Sequence, residues 1–200
     1  MANADFNRLM DQLRVRLPGA LDGTLQLELF SVMNEFFQNS NCWSEEIPMR
    51  VTTTRKTYEI VSTTPSTINR LFSVETSDGV AVPAIMPVPG TIELLNAPSK
   101  DETYTVSVAL TITDPVDREG YPEFPDWFLT KYGNDILDGV LGRMMSQVAK
   151  PYSQPQLAQY HMRRFMQATN KAGIEAIHGN VYRGQNWRFP QTFARRKARW

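Results

Sequence analysis

The sequence predicts an α+β protein in which a helical bundle carries an inserted antiparallel β sheet or sandwich and an extended C-terminal arm. Apolar residues recur at helical spacing near both ends of the 200-residue chain, whereas residues 44–113 are rich in Thr, Val, Ile, Tyr and Pro without a helical period. Turn signals divide this middle region into short segments. We therefore expect a helical body from residues 1–43 and 121–178, a β domain from 44–120 and an arm from 179–200.

Two amphipathic helices are predicted at the N-terminus. The apolar face of the first consists of Phe6, Leu9, Met10, Leu13 and Leu17. Pro18-Gly19 ends this helix, and Asp22 is the expected N-cap of the second. The apolar stripe of the second helix consists of Leu25, Leu29, Val32, Met33, Phe36 and Phe37. The tight break between the two predicts a packed helical hairpin, with Cys42 as a small hydrophobe at its end.

Six strands are predicted in the middle of the chain, separated by turn signals such as Pro89-Gly90. They are Ile47–Thr52, Thr57–Ser62, Ile68–Glu75, Val80–Met86, Thr91–Leu95 and Tyr104–Thr113. In the last of them large apolar residues alternate with Thr, Ser and Ala, so we expect one buried face and one mildly polar face.

Helix returns after the proline-rich segment 121–125. Asp126 is the expected cap of a long helix that Lys150-Pro151 ends. Its apolar stripe is Phe128, Leu129, Tyr132, Ile136, Leu137, Val140, Leu141, Met144, Met145 and Val148. A final helix from Gln156 to His178 would turn one side inward, made up of Ala158, Met162, Phe165, Met166, Thr169, Ala172, Gly173, Ala176 and Ile177.

Three glycines interrupt the long helix, namely Gly133, Gly139 and Gly142. Each costs helix stability of about 0.8–1 kcal/mol relative to Ala. Their value would be close approach to a neighbouring helix or subunit, and we assign them to subunit packing.

The residues give no sign of an enzyme. The two histidines, His161 and His178, are seventeen residues apart, which does not suit a metal pair on adjacent helical turns, so a structural or surface role is expected. Nucleotide-binding, nucleophile-elbow and zinc-protease motifs are missing from the sequence. Adjacent acids such as Glu45-Glu46 are typical of solvated charge. We expect no catalytic residue, no cofactor and no metal site.

Composition and targeting signals narrow the class further. The chain is 42% hydrophobic and 21% charged, which is typical of a globular protein and not of a disordered one. No apolar run approaches the ~18 residues of a membrane span, and the N-terminus lacks the order of a signal peptide. The single cysteine excludes an intrachain disulfide and fits a reducing compartment.

Charge is strongly segregated along a chain whose formal net charge is zero. Residues 139–200 contain eleven Lys or Arg and one acid, Glu175, whereas residues 1–138 contain ten bases and twenty acids. An equal and opposite split of this size indicates a molecule with two unlike faces that meets its own copies or a partner. It favours assembly over chemistry.

The arm at residues 179–200 interleaves aromatic residues with cations and contains no acid. Aromatic and Arg side chains can stack on bases and bind phosphate, which is typical of nucleic-acid binding. The same residue types dominate protein–protein hot spots, so a protein-docking arm is the second reading and is favoured by the spacing of the aromatics. A plain solvated tail is the third.

The segment Tyr121–Ala176, from YPEFPDWF to NKAGIEA, resembles the head-to-tail adaptor proteins of tailed bacteriophages, above all those of short-tailed phages. The resemblance covers most of residues 20–178. It includes the Pro125-Asp126 helix start and the stretch KPYSQPQLAQYHMRRF, Lys150–Phe165. That stretch is similar to the family pattern K-P-W-S/T-x-P-x-L-A-x-x-Y/H-x-x-x-F, with Tyr152 in the place of the tryptophan.

The resemblance implies a structural role in a virion. A ring of twelve copies would lie beneath the portal, at the neck or portal–tail junction, after synthesis in the cytoplasm of the host bacterium. Its helices would form the ring, its β insert would face tail nozzle or tail tube proteins, and double-stranded DNA would pass through transiently. An acidic channel wall would not retain that DNA. The residues assigned to portal docking are Trp187, Arg188, Phe189, Phe193, Arg195, Arg196, Lys197, Arg199 and Trp200. A small nucleic-acid-binding protein that uses the same arm is the alternative.

Overall fold

The structure is a computed structural model that describes residues 2–113 and 123–178. It confirms a mixed α+β fold, in which two helices precede the strands and two follow them. The helices are α1 Ala2–Arg16, α2 Asp22–Ser40, α3 Asp126–Met145 and α4 Pro155–Ile177. The strands are β1 Ser44–Val51, β2 Thr57–Glu59, β3 Ser66–Glu75, β4 Ala84–Val88, β5 Thr91–Leu94 and β6 Glu102–Ile112.

The N-terminal hairpin forms as its apolar periodicity predicts. Every residue of the two predicted stripes is buried. The predicted cap is wrong by one residue, since Leu21 is the N-cap of α2 and makes no side-chain cap hydrogen bond. Asp22 instead lies in the first turn, where the helix dipole favours an acid, and it accepts a hydrogen bond of 2.9 Å from Arg14 Nε. That contact ties α2 to α1.

The strands form two antiparallel three-stranded sheets, with the orders β1-β6-β3 and β2-β5-β4. All six predicted segments contain a strand, but β4 begins at Ala84 and not at Val80. Val80 and Val82 belong instead to the turn that follows β3, in which the backbone nitrogen of Val82 donates a hydrogen bond of 2.7 Å to the backbone oxygen of Val74. The isolated pair Glu75–Ala81 is the one ladder contact that this turn makes with β3.

Strand β6 joins the sheets to the helices. Its first half alternates as predicted, but residues 108–112 are buried on both faces. The expectation of one mild face is wrong there because α2 covers it: Thr111 Oγ1 donates a hydrogen bond to Asn34 Oδ1. Just before β1, Trp43 packs on Phe37 with ring centroids 5.3 Å apart.

The predicted extent of α4 is confirmed to within one residue at each end. The prediction for α3 is wrong at both ends, since its N-cap is Pro125 and not Asp126, and it stops before Lys150-Pro151. Helix α3 ends at Met145, so Val148 is 85% exposed and the prediction of its burial is wrong. In α4 the buried residues are Ala158, His161, Phe165, Thr169 and Ala172. Met166 and Ile177 were expected on this side but are 56% and 84% exposed. They lie on the opposite side of the helix, because the buried residues repeat at spacings of three and four.

Aromatic rings occupy the centre of the helical body. Phe36 lies between Phe128, Tyr132 and Phe165, with centroid distances of 5.6, 4.9 and 6.1 Å. One cluster of buried residues continues from these helices into both sheets. In the part of the chain that the structure describes, no helix is long and apolar enough to cross a membrane.

Candidate functional site

Two of the glycines assigned to subunit packing face helices of the same chain. A Cβ at Gly139 would lie 2.5 Å from Val32 Cγ1 and 2.7 Å from Phe165 Cδ2, so α2 and α4 both approach this position closely. A Cβ at Gly142 would lie 3.0 Å from the backbone nitrogen of Met162. Both glycines therefore permit close approach to a neighbouring helix, one of the two roles expected for them, and their assignment to subunit packing stays a prediction.

The third glycine of α3, Gly133, is buried but less crowded. A Cβ there would meet only Leu9 Cδ2, at 3.9 Å, which is an ordinary contact distance. Its φ angle is not positive. Its nearest neighbour is again a residue of the same chain, and glycine is not required at this position.

The nine residues assigned to portal docking, from Trp187 to Trp200, lie outside the described residues. Their assignment stays a prediction. The described chain ends at His178, an exposed residue that follows directly on α4.

The most polar feature within the described residues is a seam between α3 and α4. At its centre His161 Nδ1 lies 2.8 Å from Asp138 Oδ1, and both side chains are buried. Arg164 Nε lies 3.0 Å from Asp138 Oδ2, an ion-pair distance without the alignment of a hydrogen bond, and this oxygen accepts none from the described residues. Tyr160 covers the outer side, with its ring centroid 5.5 Å from that of His161.

The seam continues toward the start of α3 as an open groove of about 350 Å³. At one end Lys131 Nζ lies 2.9 Å from the Glu175 carboxylate and holds the pKa of Glu175 below its ordinary value. Half-buried Asp135 lines the same groove. Burial, and then the neighbouring Asp138 carboxylate, raise the pKa of Asp135.

A carboxylate–imidazole pair can orient a general base, but such a base needs a nucleophile within hydrogen-bond reach. Among the residues described, no Ser, Thr or Cys side chain bonds to His161. Burial raises the pKa of the Cys42 thiol, which disfavours a reactive thiolate. Residues 2–113 and 123–178 also hold no cluster of three or more His, Cys, Asp or Glu suited to a metal. The seam can therefore join two helices, and it has no evident partner for catalysis.

A second ion cluster joins α2 to α3. Arg143 Nη1 donates to Ser31 Oγ at 2.7 Å and lies 3.5 Å from Glu28, while its Nη2 pairs with Glu35. Arg143 belongs to the cationic part of the sequence, yet its charge is satisfied inside the molecule.

Sequence reasoning identified neither of these clusters. Asp138 and His161 are 23 positions apart, and Arg143 is more than 100 positions from its acidic partners. One signal was present for His161, because it lies three residues after Ala158 and four before Phe165 and therefore on the apolar side of α4. A histidine in that register indicates a buried polar partner.

The side of α4 that faces solvent carries exposed residues at helical spacing. We call these residues the α4 outer strip, namely Arg163, Met166, Asn170, Ile174 and Ile177. Met166, Ile174 and Ile177 are 56%, 59% and 84% exposed.

Comparison with known proteins adds no family to this description. No protein-family profile matches the chain, and no curated protein matches it significantly. The resemblance of Lys150–Phe165 to phage adaptors stays a prediction from the sequence.

Proposed function

We propose that this protein is a structural head-to-tail adaptor of a bacteriophage virion. Copies of the chain would form a ring, of twelve members in the resembling family, that joins the portal to tail nozzle or tail tube proteins and surrounds the DNA path. The arm at residues 179–200 would dock on the portal. The proposal rests on the sequence resemblance and on the way charge is divided between the folded part and the arm.

The observation that carries the proposal is the charge contrast between residues 1–178 and the arm. Residues 179–200 contain six of the 21 bases and no acid, which leaves fifteen bases against 21 acids in residues 1–178. The body is therefore −6 and the arm +6. A cationic segment attached to an anionic body is suited to binding an acidic surface on another protein.

Internal ion pairs take up part of the positive charge between residues 139 and 178. Of the cations between residues 139 and 178, Arg143, Arg164 and Lys171 lie within 4.0 Å of acids of α2, α3 or α4. Lys150 and Arg163 have no acidic partner within residues 2–113 and 123–178. Three of the five cations in this stretch are therefore paired with acids of the same chain.

The aromatic content of the arm favours a protein partner over DNA. Its aromatic residues are Tyr182, Trp187, Phe189, Phe193 and Trp200. Aromatic and Arg side chains anchor interfaces by filling pockets. A contact with the DNA backbone would need the cations alone and would depend steeply on salt.

The test is the mass of the full chain, alone and after mixing with portal rings encoded in the same genome, measured by light scattering at physiological salt. We expect a stoichiometric complex, which a chain ending at His178 does not form. Trp187→Ala with Trp200→Ala should weaken it about tenfold or more. The matched control, Gln191→Ala with Thr192→Ala, changes two arm residues that are not assigned to docking and should retain most of the affinity.

Two results would count against this function. Equal portal binding by the shortened and full chains would remove the docking role of the arm. Tight binding of the full chain to a duplex of about 30 base pairs, lost steeply between about 50 and 200 mM salt, would support the nucleic-acid-binding alternative instead.

A further inference from the structure

Helix α4 carries an unusual concentration of exposed apolar side chains. Five large apolar residues of this one helix are more than a third exposed, namely Leu157, Tyr160, Met166, Ile174 and Ile177. Three of them belong to the α4 outer strip, which runs along the helix at spacings of three and four residues. The opposite side of the same helix packs on α2 and α3, and within residues 2–113 and 123–178 no element packs on the strip.

The polar residues of this side suit a protein interface more than open solvent. Between Pro155 and Ile174 the helix contains no acid, and its exposed polar residues are Gln156, Gln159, Arg163, Arg164, Gln167, Asn170 and Lys171. Protein interfaces are enriched in Met, Arg and aromatic residues and depleted of Glu and Asp. A strip with apolar contacts and one unpaired cation, Arg163, is expected to meet an apolar surface that carries acid.

The chain itself has such a surface on the outer face of the β2-β5-β4 sheet. The register places Thr57, Glu93 and Ile85 in one cross-strand row. A second row consists of Glu59, Thr91 and Val88. The residues of β2 and β5 in these rows point away from buried Ile92 and Leu94, because side chains alternate along a strand. On β4 a register shift between Ile85 and Val88 places both residues opposite this face of β5.

This sheet face combines apolar area with uncompensated acid. Ile85 and Val88 are 47% and 59% exposed. Glu59 and Glu93 form no ion pair with any residue that the structure describes. Lys56 directly precedes Thr57 and therefore lies beside the first row, which contains Glu93. Glu59 belongs to the second row, so its negative charge is farther from this base.

The two surfaces also match in size. Three strands at about 4.8 Å spacing, with three to five residues along each, make a face roughly 10–15 Å across. The helical stretch Arg163–Ile174 is about 16 Å long at 1.5 Å per residue. We propose that the α4 outer strip of one copy packs on the outer face of the β2-β5-β4 sheet of a second copy, with Met166 and Ile174 against Ile85 and Val88 and Arg163 near Glu59.

The two patches are different parts of the molecule, so this contact is heterologous. A heterologous contact repeats from copy to copy and closes into a ring when its rotation divides a full turn. The inference therefore rests on the proposed function, because it names the lateral contact of the ring. It is independent of the arm and of the portal.

The test is sedimentation velocity of the full chain from about 5 to 300 μM at low salt, where weak association becomes visible. We expect concentration-dependent self-association. Met166→Glu or Ile85→Glu should weaken it about tenfold or more, because each places a charge in the apolar contact. Val148→Glu is the matched control, since Val148 is 85% exposed and belongs to neither patch.

A charge exchange tests the pairing directly. Arg163→Glu alone and Glu59→Arg alone should each weaken association, and the chain with both changes should recover most of it. Ile85, Met166, Arg163 and Glu59 are all exposed, so substitutions there do not disturb the core. Far-ultraviolet circular dichroism checks the fold of each variant.

The outcomes separate this inference from the proposed function. A wild-type chain that stays monomeric throughout, or a double exchange that does not recover, would overturn the lateral contact while portal binding could still succeed. Failure to bind the portal with intact self-association would overturn the adaptor role and leave the contact standing. An effect of Met166→Glu with none from Ile85→Glu would place the partner of α4 elsewhere and would also overturn the pairing.

Discussion

Alanine substitution at two glycines of the same helix is expected to change stability in opposite directions. At Gly139 the added methyl would lie 2.5 Å from Val32 and 2.7 Å from Phe165, and both side chains are almost completely buried. Such overpacking costs about 1–3 kcal/mol, and two contacts below 3.0 Å place Gly139 in the upper part of that range, at about 2–3 kcal/mol. The better helix propensity of Ala returns only about 0.8–1 kcal/mol of this cost. We expect Gly139→Ala to lower the free energy of unfolding by about 1–2 kcal/mol.

Gly133→Ala is the matched comparison on α3. The nearest atom, Leu9 Cδ2, would be 3.9 Å away, so only the gain in helix propensity remains. That gain is about 0.5–1 kcal/mol. Unfolding in urea, followed by circular dichroism, measures both values. For a domain of this size the two variants should differ in Tm by roughly 4–12 °C, at about 2–4 °C per kcal/mol.

The clash with Val32 provides a further check. In a Val32→Ala background, the penalty of Gly139→Ala should shrink, because one of the two crowding atoms is gone. Coupling of this kind is the signature of residues in direct contact. Shifts of the same sign in Gly133→Ala and Gly139→Ala would refute the view that close packing, and not propensity, explains the glycine at 139.

Two predictions concern the polar seam. Asp138→Ala leaves buried His161 without its partner and should lower the free energy of unfolding, measured in urea, by about 3–5 kcal/mol. Asp138→Asn should lower it less. A loss below about 1 kcal/mol for Asp138→Ala would mean that the pair contributes as little as a surface ion pair. Asp135→Asn should be stabilising at neutral pH. Burial and Asp138 raise the pKa of Asp135 above its ordinary value of 3.8. The contribution of this carboxyl to the free energy of unfolding is therefore full below that value and is lost as pH rises through the raised pKa. The gain over wild type should therefore grow with pH in urea unfolding, and a gain independent of pH would contradict this assignment.

Hydrophobic periodicity predicted most of the fold. The stripes of α1 and α2 are buried without exception, and each predicted β segment contains a strand, since an apolar face must be covered for these elements to be stable. The predicted ends of helices and strands were wrong where the backbone itself changes direction. Val148 fits the apolar period of α3, but the chain has left the helix by Ala149, whose φ is 61°. No side chain in the sequence signals that turn.

The face of α4 was harder to predict for a different reason. Its buried side includes His161 and Thr169, whose polarity is satisfied by Asp138 and by the backbone oxygen of Phe165. Its exposed side includes Met166 and Ile177. The predicted inner side therefore omitted His161 and wrongly added Met166 and Ile177, although it included the other four buried residues. The partner that makes His161 acceptable lies on another helix. Local sequence contains no information about that pairing.

The composition of α4 differs from that of a helix adapted to solvent on its outer side. Such helices usually gain stability from Glu and Lys at i,i+4, but the one pair of this type in α4, Lys171 with Glu175, is separated by 3.9 Å. Solvation would equally favour a polar residue over Ile177, which is 84% exposed. Burial against α2 and α3 already stabilises the helix, so its outer side is not needed for folding. Apolar residues kept on that side are therefore better explained by contact with another protein surface than by the stability of the single chain.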